Sequence, residues 1–200
     1  MADGQGVDAR AYPSDLVGIA SLDGRRSVRI RPIRDSDGPG LVEFHSSLTP
    51  WSIYSRYFGA HPSLNEREVA WFTQVDYRDR LALIAEDGGK IVGVGRYDRR
   101  DERSEAEVAF VVADEWQGLG LGRILLRRLA DAAKRNGIDT FVADTLAENR
   151  AMLEVFRLSG FAVETSSRHE IVHVRISIIS EVVGERTAAG DSCNVDGGRR

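Results

Sequence analysis

A chain of 200 residues, 42% hydrophobic and 29% charged, has the size and composition of one globular domain with its own core. Its formal net charge of −4 argues against a cationic nucleic-acid binder or a polybasic membrane-surface protein. The single cysteine, Cys193, excludes an intrachain disulfide and a cysteine-based zinc site.

Residues 1–10 are polar, without the apolar core of a signal peptide. No run approaches the roughly 18 apolar residues of a membrane span. The chain therefore reads as soluble and cytoplasmic. Of its 27 basic residues only Lys90 and Lys134 are lysines. Codon usage explains that ratio best, although arginine forks also suit phosphate groups.

In chain order, residues 1–26 read as a loose arm able to dock one short element. Residues 27–33 alternate, with Val28 and Ile30 against Arg29 and Arg31, and predict a strand. Asp35 or Asp37 can cap a helix carrying Leu41, Val42, Phe44 and Leu48. A second short helix follows Pro50, and a third follows Asn65. Residues 81–85 and 91–96, joined across Asp87, Gly88 and Gly89, predict a hairpin, and 106–112 the next strand. Residues 121–136 form a long amphipathic pattern with Ile124, Leu125, Leu129 and Ala132 inward, closed by Asn136 and Gly137. A strand at 140–145, a helix at 149–159 and strands at 161–166 and 171–179 complete the order. Residues 184–200 lack periodicity and predict disorder. This order is α+β with a mixed sheet, and not a regularly alternating doubly wound fold.

The sharpest local feature is the run Val112, Ala113, Asp114, Glu115, Trp116, Gln117, Gly118, Leu119, Gly120, Leu121, Gly122, Arg123, placed between a strand and a helix. Three glycines allow close approach of a ligand, and free N–H groups at the helix start favour an anion. Arg123 adds a charge. A dinucleotide fold requires another glycine spacing and an early parallel unit. A Walker A loop requires Gly-Lys-Ser/Thr, which is absent.

These residues resemble the acyl-CoA-binding motif of the GNAT acetyltransferase superfamily. Asn149 and the segment Leu158, Ser159, Gly160, Phe161 resemble that superfamily's next motif. The resemblance implies an α+β, GNAT-like mixed and mostly antiparallel sheet flanked by helices, with a splayed central strand, over residues 27–180. It implies acetyl-CoA as co-substrate and no metal. Gln117, Gly118, Leu119, Gly120, Leu121, Gly122 and Arg123 would hold the pyrophosphate, Phe110, Val111 and Val112 would pair with pantetheine, and Asn149 would bind pantetheine or cap its helix.

A narrower resemblance links residues 31–37 and 48–58 to the acetyltransferase domain of bacterial protein lysine acetyltransferases, which modify acyl-CoA synthetases. It implies a protein lysine as acceptor; a small-molecule amine is the alternative, and a non-catalytic CoA-binding sensor a lesser one. The length leaves no room for the regulatory domain often fused in such enzymes. Neither a nucleic acid nor a membrane is implied as partner.

Transfer to an amine requires a base, because a lysine amine is protonated near neutrality. Glu105 and Glu107 share one strand face with Ala109 and Val111. Glu107 lies nearer the acyl site, matches the family's catalytic glutamate, and is the predicted general base. Many GNAT enzymes place a tyrosine where this chain has Phe156, so a tyrosine general acid is not expected here. His45, His61, His169 and His173 show no metal-ligand spacing. Tyr54, Arg56, Tyr57 and Phe58 could line the acceptor cleft, but an aromatic core at helical spacing is the favoured account. Trp116 is expected to pack rather than bind.

Overall fold

A computed structural model describes residues 11–24, 26–100 and 104–181. Cys193 and the whole of the predicted C-terminal tail, 184–200, lie outside the described residues. Among the described residues eight strands form one sheet: β1 (Gly18–Leu22), β2 (Arg26–Pro32), β3 (Arg80–Asp87), β4 (Lys90–Arg99), β5 (Glu105–Val112), β6 (Thr140–Leu146), β7 (Phe161–Arg168) and β8 (Ile171–Glu181). Their spatial order is β1-β2-β3-β4-β5-β6-β8-β7. Only the β5–β6 pair is parallel. The α+β, mostly antiparallel expectation holds. Within the stretch read as an arm, β1 is a sheet edge, joined to β2 from Gly18↔Ile30 to Leu22↔Arg26.

Five α-helices among the described residues cover the sheet: α1 (Gly38–Ser47), α2 (Pro50–Tyr57), α3 (Glu66–Thr73), α4 (Leu121–Arg135) and α5 (Arg150–Arg157). Asn65 caps α3 in a reciprocal box, its Oδ1 accepting from Glu68 N–H while Glu68 Oε2 accepts from Asn65 N–H. Helix α4 buries Leu121, Leu125, Leu126 and Leu129 against one face of the sheet, each at 1% exposure or less. Complete burial of each such side chain stabilises by about 1.5–3 kcal/mol. On the other face, Leu41 and Phe44 of α1 pack with Ile33, Ile84 and Val94. Strand β3 is thus covered on both sides. Its Leu81–Ala85 run is continuously apolar for that reason, where a half-exposed strand would alternate.

The β5–β6 ladder holds only Glu105↔Thr140, Ala106↔Phe141 and Glu107↔Val142. Beyond Glu107, β5 stays with β4 as far as Val112, and β6 stays with β8 as far as Leu146. The two strands part, which is the expected splay.

Candidate active site

The splay opens a cleft of about 580 Å³. One wall is β5 from Glu107 to Val112, and the facing wall is Ala143, Asp144 and Thr145 of β6. The backbone groups of Val108–Val112 that face β6 have no strand partner there. Phe110 lines the cleft, but its side chain is 5% exposed and meets Phe156 edge-on at 6.4 Å. Only its main chain can therefore serve a ligand. Val111 and Val112 are half-buried on the same wall.

At the mouth of the gap, the loop from Ala113 turns into α4. Gly120 is the N-cap residue in the left-handed region, φ +84°, and no side chain caps the helix. Gly118 has φ +74°. Side chains rarely adopt such angles, so glycine is required at both. The first-turn N–H groups of Leu121, Gly122 and Arg123 lack intrahelical acceptors and line the cleft at the positive end of the helix dipole. Leu119 lines it as well, and Arg123 is exposed beside it. Gly122 has a second reason to be glycine: a Cβ there would meet Val155 Cγ2 of α5 at 3.1 Å. It serves helix packing as well as ligand approach.

The Gln117 side chain is engaged by the protein. Its Nε2 donates to Val112 O at 3.0 Å and to Ser52 Oγ at 3.1 Å, pinning the loop to β5 and α2. Asp114 completes that junction. Its carboxylate accepts from Thr49 N–H (3.1 Å), Thr49 Oγ1 (2.8 Å) and Ser52 Oγ (2.9 Å). Burial pushes the Asp114 carboxyl up, but these donors outweigh it and hold the group below its ordinary value.

Glu107 lines the cleft, its side chain 57% exposed and ion-paired to Arg100 Nη2 at 3.0 Å through Oε2. It is more open to water than its apolar neighbours in sequence suggest, because the widening gap leaves that strand face uncovered. Glu105, two residues earlier, is engaged by Arg175 and lies outside the cleft lining. Asn149 Oδ1 accepts from Met152 N–H at 3.1 Å as the N-cap of α5, and the residue also lines the cleft. Phe156, 2% exposed, offers no proton at its place in the wall.

Helix α2 departs from the aromatic-core account. Trp51 and Phe58 line the cleft at 47% and 41% exposure, and Arg56 lines it too. Tyr54 is exposed, and only Tyr57 packs inward, against the rings of His45 and His61. The helix buries a narrow face because the sheet beneath it is splayed. Thr145 Oγ1 and Ser55 Oγ are buried cleft atoms without a hydrogen-bond partner, and neither has a sequence signal. Trp116 packs as expected, 7% exposed, with the Arg26 guanidinium 5.2 Å from its ring.

His173 pairs with Asp144 at 2.6 Å on the sheet surface, and His169 sits in the β7–β8 turn at φ +56°. Among the described residues no group of three or more His, Cys, Asp or Glu could hold a metal ion, and no helix is long and apolar enough to cross a membrane.

The acetyltransferase (GNAT) family model matches residues 48–161. An acetyltransferase of Pseudomonas aeruginosa is 35% identical over 147 residues, 72% of this chain and 79% of that protein. The L-amino acid N-acyltransferase MnaT of Escherichia coli is 32% identical over 139 residues, 67% of this chain and 79% of its own. The crystal structure of the GNAT domain of S. lividans PAT superposes with a TM-score of 0.79 at 33% identity, covering 84% of this chain and 99% of that one. A Salmonella typhimurium protein of the same fold, solved with acetyl-CoA, has a TM-score of 0.61 at 22% identity over 83% of this chain and 99% of its own.

Proposed function

The chain belongs to the GNAT acetyltransferase family, and from that membership we propose that it moves the acetyl group of acetyl-CoA to a lysine side-chain amine of a protein, with an acyl-CoA synthetase as candidate acceptor, in the cytoplasm. The observation that carries the reading is one continuous cleft running from an uncapped helix N-terminus to a carboxylate. Gly118, Gly120 and the first turn of α4 stand at one end, and Glu107 at the other.

The residues present suit the co-substrate. The N–H groups of Leu121, Gly122 and Arg123 would hold the pyrophosphate, and the edge of β5 at Phe110, Val111 and Val112, which has no strand partner in β6, would match pantetheine amides. Gln117 would act by fixing the loop, and Asn149 by fixing α5 and presenting its amide. Bound acetyl-CoA supplies a thioester carbonyl as electrophile. A main-chain N–H near Phe110 or Val111 would polarise that carbonyl.

Glu107 receives the proton of the attacking amine, directly or through one water. Arg100 occupies Oε2, which leaves Oε1 as acceptor. As the N–C bond forms and the C–S bond breaks, the proton lost by the amine resides on Glu107. The departing thiolate takes its proton from water, since Phe156 has none to give.

Residues 31–37 and 48–58 favour a protein acceptor through their likeness to protein lysine acetyltransferases. A small amine with a carboxyl group is the second reading, supported by the MnaT relationship. Incubation with labelled acetyl-CoA and purified acyl-CoA synthetases, read by lysine-resolved mass spectrometry, separates the two; label only on free amino acids overturns the first. Glu107→Gln is expected to lower turnover about 10²–10⁴-fold while acetyl-CoA binding persists. Turnover equal to wild type removes Glu107 from the mechanism.

A further inference from the structure

Arg56 lines two spaces at once, the main cleft and a pocket of about 40 Å³ behind it, walled largely by apolar side chains such as Leu48, Phe72 and Val94. It is half-buried. Among the described residues its guanidinium makes no hydrogen bond and no ion pair; its one side-chain contact of note is the Tyr57 ring, 5.2 Å away.

The neighbouring arginines differ. Arg96 grips both oxygens of Asp98 at 2.9 Å, Arg80 reaches the same carboxylate at 3.0 Å, and Arg100 holds Glu107. Two guanidinium groups share one aspartate, so Arg56 adds to positive charge already in excess. Burial pushes the Arg56 guanidinium down, Arg96 pushes it further, and Tyr57, Glu107 and Asp98 only partly offset them. It nevertheless stays charged. Its five N–H donors find no acceptor among the described residues and open onto the cleft, where a bound anion can take them.

The position narrows which anion. Ser52, one turn earlier on α2, is the residue that touches the glycine loop, through Gln117. Arg56 stands one turn further along α2 and shares the cleft lining with Glu107, whose charge it feels. The small pocket behind it suits a compact planar group, and the planar fork of a guanidinium matches a carboxylate.

We propose that Arg56 anchors a carboxylate carried by the acceptor, beside the amine whose proton Glu107 receives. The inference rests on the acetyl-transfer reading above for the presence of that amine. The carboxylate comes either from an acidic residue next to the target lysine or from a free amino acid, and its chemistry at Arg56 is the same.

The test compares kcat/KM within two pairs of acceptors: a lysine peptide flanked by Glu against the same peptide flanked by Gln, and a free amino acid against its amide. The carboxylate-bearing member of at least one pair is expected to be favoured about tenfold or more, as for a charge-assisted hydrogen bond in a partly desolvated site. Arg56→Gln is expected to bring that ratio to about one, and Arg56→Lys to restore it partly. Because Arg56 has no ion pair to lose, the thermal midpoint of Arg56→Gln should not fall, which separates lost recognition from lost folding. Preference in the peptide pair supports both the anchor and the protein acceptor; preference in the amino-acid pair alone supports the anchor and overturns the protein acceptor. Equal rates within both pairs, no transfer in either, or a preference that survives Arg56→Gln overturns the anchor.

Discussion

His45 shows how a single side chain can set a pH response. The ring is 3% exposed and neither nitrogen has a hydrogen-bond partner. Burial pushes its pKa down, and the nearby His61 adds to the shift against a smaller opposing pull from Glu68. The unfolded chain binds a proton at this site below about pH 6.5, and the native ring binds it less readily. Stability from this site is therefore present above about pH 6.5 and declines as pH falls below it. His45→Phe keeps an aromatic ring beside Tyr57 and is expected to flatten the loss of stability between about pH 6.5 and 5. Denaturant midpoints across that range check it, and an unchanged slope would sink the idea. The sequence shows a histidine on a helix. Only packing shows that it is shut away from water.

At the scale of elements, the junction of α2 with the glycine loop couples the two ends of the cleft. Thr49 caps α2, accepting from Ser52 N–H, while Asp114 draws Thr49 and Ser52 toward the loop and Gln117 ties Ser52 to β5. Asp114→Ala should cost about 1 kcal/mol of stability, the scale of a lost cap or exposed hydrogen bonds. It should also raise KM for acetyl-CoA by more than it lowers kcat, since the loop would lose its orientation. A lower melting point with KM untouched would confine Asp114 to stability.

Several elements were legible before any coordinates. Asn65 marks the start of α3, and the stripe Leu125, Leu129, Ala132 marks the buried face of α4. The ends of β5 and the start of α4 follow from one glycine-rich run. The cleft face of α2 was not legible. Its aromatic spacing suits a core equally well, and the direction each side chain takes depends on where β5 and β6 separate.

For the whole molecule, the excess of arginine acquires a partial structural account. Arg31, 8% exposed, forks onto Asp37 at 2.7 and 2.8 Å and onto Glu86, joining β2 to β3 and to the entry of α1. Arg80 and Arg96 converge on Asp98. Such bidentate geometry is beyond lysine. The two lysines stand apart from these clusters: Lys90 pairs with Glu43 at the surface, and Lys134 lies 5.2 Å from the Phe161 ring.

Burial raises the Asp37 and Asp98 carboxyls, but Arg31 and the Arg34 N–H outweigh it at the first, and Arg96 with Arg80 at the second, so both are held below their ordinary value. Their contribution is present above the unfolded value of about 3.9 and disappears as pH falls through the lower folded value. Asp98→Asn should lower stability at neutral pH by about 1–3 kcal/mol, leaving Arg96 poorly compensated. It should also make the acid loss below about pH 4 shallower. Unfolding curves from pH 7 to 2 check both, and parallel curves for variant and wild type would contradict them.

The sequence by itself determined the family, the α+β order and the helix that presents free N–H groups, because glycine spacing, capping residues and hydrophobic period act within a few residues of one another. The tertiary structure alone decided that Glu107 stands open to water with Arg100, that Gly122 is held by Val155, and that Arg56 lies half-buried without an acceptor among the described residues. Each of these depends on how strands and helices pack against one another, around a sheet in which β5 and β6 pair for three residues and then part.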